Sequence, residues 1–244
     1  MKIAIVHDFL TKMGGAERVL LYLHQIFPDA PIYTLLYDKE GTRGYFEQKD
    51  IKIITSKLQK KPAFLRHRMK FLLPSFPKTI EEFNFHDFDL VISNSNSFAH
   101  GVITGPDTYH LCYCHSPMRY AWDWHAEYLI ENQIGFGLLG LVIRRLIGSL
   151  RTWDYIASDR PNLYLANSFN VQKRIKKYYH KDAIVVNPPT DLSKFIPNNK
   201  PPQDFYLVVS RLSPYKKIDI AINAFNKSKR KLYIVGEGED RQRL

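Results

Sequence analysis

The sequence predicts an α/β fold with a mainly parallel sheet. Three observations predict it. Short β-branched runs without polar alternation recur along the chain, as strands buried on both faces do. Segments long enough for a helix separate most of them. After a proline-rich break the strand–helix–strand pattern restarts. The 244 residues suffice for one large domain or two small ones.

Lys2–Val6 reads as the first strand and leads into a loop with Gly14 and Gly15. A helix follows, with Val19, Leu20, Leu23 and Ile26 on one face and Pro28 as its stop. Ile32–Leu36, Ile51–Ile54, Leu90–Ile92, Tyr109–Cys114, Leu163–Ala166 and Ile184–Val186 are further strands. Pro188, Pro189, Pro197, Pro201 and Pro202 then crowd one stretch, the expected linker. Beyond it come a strand over Phe205–Ser210, a helix over Ile218–Phe225 and a strand over Leu232–Val235. The helix carries Ile218, Ala221, Ile222 and Phe225 on one face. One such unit cannot bury its own sheet, so the chain is expected to stop inside a second domain. The expected division is 1–187, a linker over 188–203, and 204–244.

Composition narrows the function. Lys and Arg number 35 against 24 Asp and Glu, a net charge of +11. That balance asks for an anionic partner: nucleic acid, an acidic membrane or phosphorylated ligands. Two cysteines exclude a disulfide scaffold. His7 and Asp8 interrupt the first apolar run, so no signal peptide is expected. The longest apolar run, Ile134–Ile143, has ten residues; a spanning helix needs about 20. A cytoplasmic place is expected, at most on a membrane surface.

Four constellations can carry chemistry. Gly14-Gly15-Ala16-Glu17 sits between strand and helix, where free N–H groups face an anion; a plain tight turn is the equal alternative. Ser210–Lys217 follows a buried strand at the sheet's carboxyl edge. Arg211 offers a fork and Lys216 a point charge to a diphosphate, with a solvated basic loop as the alternative. His115 enters a Pro-containing loop at the same kind of edge. A neutral imidazole there can accept a proton or hold a hydroxyl, or simply pack between aromatics. Cys112, Cys114 and His115 do not make a zinc site, because no second ligand pair follows at the right spacing. The fourth is the basic stretch Lys57–Lys78, which holds no acidic residue before Lys78. Wound as a helix over Ala63–Leu73, it places Phe64, Leu65, Met69, Leu72 and Leu73 in one half-circle. Arg66, His67 and Lys70 fall opposite, while Arg68 and Phe71 break the pattern. Lys60, Lys61, Arg66 and Lys70 are the candidates to face an anionic bilayer; a solvated basic face is the alternative. No zinc-finger, RNP-like or basic-heptad pattern supports nucleic acid as partner.

Taken together, the motifs resemble family 4 glycosyltransferases. His7-Asp8-Phe9-Leu10 with Gly14-Gly15-Ala16-Glu17-Arg18 is similar to that family's opening. The run Tyr113–Asp123 resembles the "Y-C-H-T-P-M-R-Y-x-W-D" of a mannosyltransferase-like branch. Ala166-Asn167-Ser168 with Val171, Arg174 and Ile175, and Val186–Asp191, look like two further family segments. Ser210–Asp219 resembles "S-R-L-V-P-Y-K-R-V-D", and Val235–Gly238 the "V-G-x-G" turn.

The resemblance implies a GT-B fold of two Rossmann-like domains, with sugar transfer that retains configuration and needs no metal or other cofactor. Arg211, Lys216 and Gly15 would hold the donor diphosphate. Gly236 and Gly238 would lie near the nucleoside. His115 would be the catalytic contact to the sugar or acceptor hydroxyl. Gly14, Glu17 and Arg119 would line the acceptor-side loop. The implied donor is a nucleotide-sugar, GDP-mannose, and the acceptor a lipid-linked or plain saccharide. The setting would be cell-surface polysaccharide or glycolipid synthesis at the inner face of the plasma membrane. The family's "E-x₇-E" segment belongs beyond Leu244, so this piece alone is expected to be inactive. Two other readings stay open: a GT-B nucleotide-sugar epimerase, and a truncated membrane-associated binding protein without catalysis.

Overall fold

Apolar strands joined by helices build a seven-stranded parallel sheet and a separate two-stranded one. The computed structural model describes residues 1–131, 134, 135, 137–196 and 201–244. Residues 197–200 of the expected linker and Phe136 of the apolar run lie outside the described residues. The chain divides into two units, Met1–Thr190 and Asp191–Leu244.

The first unit holds strands β1 (Ile3–Leu10), β2 (Ile32–Tyr37), β3 (Ile53–Thr55), β4 (Leu90–Ser95), β5 (Tyr109–Cys114), β6 (Leu163–Ala166) and β7 (Ala183–Val185). Its helices are α1 (Gly15–Ile26), α2 (Ala63–His67), α3 (Phe76–Ile80), α4 (His125–Glu131), α5 (Leu138–Ala157) and α6 (Phe169–Tyr179). All seven strands are parallel, in the order β3-β2-β1-β4-β5-β6-β7. The strand order therefore reverses direction between β1 and β4. In open α/β sheets that switch point is where a crevice forms at the carboxyl ends. Ile5, Leu10, Leu20 and Ile32 fill one cluster against α1. Ala4, Val6, Val91, Phe76, Phe98, Ile147 and Leu150 fill another. Cys112 and Cys114 belong to a third, with Tyr164, Ala166, Ile175 and Tyr179 of the β6–α6 side. The neighbouring Cys112 thiol, with burial, pushes Cys114 well above the usual thiol range, which suits an inert core residue.

Two expectations are corrected. The first strand does not end at Val6: it runs to Leu10, with His7 paired to Thr34 and Phe9 to Leu36. Buried polar side chains cost stability unless bonded, and both His7 and Asp8 are bonded, as shown below. The helix expected over Ala63–Leu73 is broken. It stops at His67, Arg68 leaves helical geometry (φ −100°, ψ 58°), and short 3₁₀ turns follow at Met69–Phe71 and Leu73–Ser75. The stretch offers no acidic partner for its cations, and Arg66 and Lys70 repel at i,i+4. Pro74 also disfavours helix at Leu73. Elsewhere the edges move by a few residues, and Ile26, at the end of α1, is exposed rather than packed.

The second unit contains β8 (Tyr206–Val209), α7 (Ile218–Ser228) and β9 (Leu232–Val235). β8 and β9 pair in parallel. The strand expected to be buried over Phe205–Ser210 is instead short and mostly exposed, at Tyr206, Leu207 and Val209, as are Ile220 and Val235.

His110 lies sealed within β5, with Nε2 at 2.8 Å from Ser93 Oγ. Burial pushes its imidazole down to about 3, with the charges of His100 and Arg160 adding. That is below the ordinary 6.5, so the unfolded chain takes up this proton first as pH falls. The contribution is full above the ordinary value and is lost as pH falls toward 3. Between pH 7 and 4.5 the native chain is expected to lose about 2 kcal/mol more than His110→Gln. Urea midpoints at the two pH values measure this; an equal loss in both proteins would exclude His110 as the titrating group.

Candidate functional site

The carboxyl ends of β1, β4 and β5 bring three side chains together. His7 of β1 pairs in register with Asn94 of β4. Ser95, the next residue, pairs with Cys114 of β5, just before His115. His115 Nε2 donates to Asn94 Oδ1 at 2.6 Å. That oxygen only accepts, so the proton sits on Nε2 and Nδ1 is left with its lone pair. Burial pushes the His115 imidazole down to about 4; His7 adds to this and Glu17 opposes it. His115 is therefore neutral at physiological pH, with one basic nitrogen.

The contacts continue into α1. Asn94 Nδ2 donates to the Ala16 carbonyl at 2.9 Å and lies 3.1 Å from His7 Nδ1. His7 Nε2 lies 3.4 Å from Glu17 Oε1. Burial raises the Glu17 carboxyl, but its bond to His7, the His7 charge, its own backbone N–H and Lys12 together bring it below the usual range. Gly14 is the N-cap of α1 and supplies no side-chain cap. A Cβ on Gly14 would stand 2.8 Å from Glu17 Oε2. A Cβ on Gly15 would meet no atom within 4 Å. Among the described residues nothing crowds position 15, and the space before it is open.

The loop after His115 is tied down from α6 and α5. Arg174 pairs with Asp123 at 2.5 Å and donates to Ser116 Oγ at 3.2 Å. Asn167 donates to the His115 carbonyl at 3.1 Å. Ser168 caps α6 by accepting from Val171 N–H at 3.3 Å. Trp122 donates to Asp154 Oδ2 at 2.7 Å, and Tyr179 donates to the same oxygen at 2.8 Å. Burial raises the Asp154 carboxyl; His100, Trp122 and Tyr179 hold it back. Arg119 is exposed, its guanidinium 5.5 Å above the Trp124 ring.

Asp8 sits beside this group and was given no role by the sequence. Its Oδ2 accepts from the N–H of Asn96 (2.5 Å) and Ser97 (3.1 Å). Its Oδ1 accepts from Phe98 (2.7 Å) and Ala99 (2.6 Å). The carboxylate fills a nest of four backbone donors after β4. The signals were its place in the His7–Leu10 opening motif and the polar run Asn94–Ser97 closing a buried strand.

In the second unit, Ser210–Lys217 leaves the carboxyl end of β8 with Leu212 and Ser213 buried and Arg211 and Lys216 exposed. Lys216 Nζ lies 5.2 Å from the Tyr215 ring centre. A Cβ on Gly236 (φ +155°) would fall 1.8 Å from the Ser210 carbonyl oxygen, and one on Gly238 1.9 Å from that of Leu212. These glycines answer to the chain's own backbone. The structure thus gathers Gly14, Gly15, Glu17 and His115 on one edge, with Arg119 further along the His115 loop. Arg211, Lys216, Gly236 and Gly238 share the carboxyl edge of the second unit. Lys60, Lys61, Arg66 and Lys70 lie on the segment after β3, with Arg66 Nε bonded to the Lys61 carbonyl.

Strand order and parallel pairing define a Rossmann-like sheet, and likeness to solved structures makes the fold GT-B type. Among solved structures, the chain is similar to Anabaena Alr3699/HepE. It matches the UDP complex of that protein at TM-score 0.58 and 17% identity, over 100% of this chain and 63% of that one. The complex with UDP and glucose matches at 0.56 and 18%, with the same coverage. The complex with UDP-glucose matches at 0.54 and 17%, over 97% and 60%. The chain thus spans less than two thirds of the length of these structures. No protein-family model matches it, and no curated protein matches it.

Proposed function

We propose that the chain belongs to a retaining glycosyltransferase that moves a hexose from a nucleotide-sugar to a lipid-linked or saccharide acceptor. The observation that carries this reading is the neutral His115 imidazole, held by Asn94 beside the open space at Gly15. Its Nδ1 lone pair accepts a hydrogen bond from a sugar or acceptor hydroxyl. Arg211 and Lys216 hold the diphosphate and stabilise the charge that develops on it as the sugar leaves. The reading assigns that work to these two cations and to no metal ion. Gly236 and Gly238 keep the loop flat where the nucleoside would approach. HepE was solved with UDP and UDP-glucose, while the Tyr113–Asp123 run points to mannose from GDP-mannose; both donors belong in the assay. The place is the inner face of the membrane, with Lys60, Lys61, Arg66 and Lys70 toward its anionic surface.

Titration calorimetry with UDP and GDP tests the donor side, on the product of the whole reading frame. Saturable binding of one of them is expected. Replacing both Arg211 and Lys216 by alanine is expected to weaken it on the order of 100-fold, two charge-assisted contacts being lost. His115→Ala is expected to stop transfer and leave nucleotide binding in place. Failure to bind either nucleotide would sink the proposal.

A further inference from the structure

The first six residues of α5, Leu138–Ile143, carry no polar side chain, and four of them are exposed. Leu138 is 81% exposed, Leu139 73%, Leu141 55% and Val142 57%. Their positions cover about 160° of the helix, at 100° per residue. The face that packs inward carries Gly140, Ile147, Leu150, Asp154 and Ala157. Ile130 of α4, 75% exposed, is one more bare apolar side chain just ahead of this helix in sequence. A surface helix normally turns polar residues outward, and an exposed apolar patch of this kind marks a contact surface.

Charge identifies what covers it. No acidic residue occurs from Gly137 to Trp153, whereas Arg144, Arg145 and Arg151 do. Arg145 is exposed about one turn beyond Leu141, whereas Arg144 is half-buried and donates to the Ile134 carbonyl at 3.1 Å. Cations at that distance from an apolar tip reach headgroup phosphates while the tip sits among acyl chains. Ile143 and Leu146 of α5 pack on the same core cluster as Met69, Leu72 and Leu73 of the basic stretch. That stretch adds exposed Phe64 and Phe71 beside Lys61 and Lys70. Among the described residues, no helix is long and apolar enough to cross a membrane.

We propose that the α5 tip, Leu138 to Val142, inserts into the interfacial layer of an anionic bilayer, with Arg145 at the headgroups. It rests on the membrane placement proposed above and names the element that inserts; vesicle binding is read without nucleotide or sugar, so its failure is distinct from a failure of the transferase reading.

Sedimentation of the chain with phosphatidylcholine vesicles, with and without phosphatidylglycerol, tests it. Binding to the anionic vesicles is expected. Leu138→Asp/Leu139→Asp is expected to weaken it at least tenfold, with an unchanged circular-dichroism melt because both side chains are exposed. Leu138→Ser/Leu141→Ser is expected to weaken it likewise without adding charge. Arg145→Gln is expected to weaken it about fivefold and to flatten its salt dependence. No binding by the native chain overturns the proposal. So does binding that the Ser pair leaves intact. A native dimer that the Ser pair turns to monomer, with vesicle binding unchanged, assigns the surface to a second copy and also overturns it.

Discussion

Asp8→Ala is expected to lower the unfolding free energy by about 3 kcal/mol or more, from the loss of hydrogen bonds to buried donors. The carboxylate is the shared acceptor for four N–H groups. Asn96 is exposed and Ser97 half-buried, so water replaces the carboxylate at those two. Phe98 and Ala99 are buried. Each buried donor left bare costs about 1–3 kcal/mol. Asp8→Asn keeps one accepting oxygen but places an NH₂ against a donor, so it is expected to recover only part of the loss. Urea unfolding followed by circular dichroism measures both variants. A loss below about 1 kcal/mol for the alanine variant would mean that water fills the nest.

Gly236→Ala is expected to open the second unit. The added methyl would sit 1.8 Å from the Ser210 carbonyl oxygen, a backbone atom that no rotamer change moves away. The chains must part there, and Ser210 N–H loses the Val235 carbonyl while Leu212 N–H loses that of Glu237. Gly238→Ala repeats the collision at Leu212. Such steric faults belong to the class that costs about 4 kcal/mol or more. Hydrogen exchange on the β8 and β9 amides reads the effect directly, with protection lost in the variant. Gly15→Ala is the contrast: no atom lies within 4 Å of its added methyl, so the thermal midpoint is expected to hold while nucleotide binding falls. Retained protection in Gly236→Ala would leave the ligand, not the backbone, as the reason for glycine there.

The sheet was legible because its strands are short and largely apolar: β6, β8 and β9 are so throughout, while β2 and β5 each admit one buried polar residue, Thr34 and His110. β1 hid half its length because His7 and Asp8 look like a break. They are tolerated only because partners 10 to 91 residues away bond them. Asn94, Arg174 and Asp154 were illegible as organisers of the site for the same reason. A lone Asn, Arg or Asp in a sequence does not announce which loop it will hold. His115 was legible from its position after a strand, but its protonated nitrogen is set by Asn94, 21 residues earlier. The Ala63–Leu73 helix failed because its apolar spacing said nothing of crowded cations.

The Asp8 nest also fixes an order of events. The acceptor is in place within the first ten residues, while its donors lie 88 to 91 residues later. The central strand therefore waits, during synthesis, for Ala99 to emerge. Until then β1 has β2 for company but lacks β4 on its other edge. Contacts of such sequence separation close slowly, because a long loop must be ordered before any bond rewards it. The first-made strand is thus locked only after about a hundred residues are out, though still before β5, β6 and β7 exist, and the sheet is knit from its middle outward.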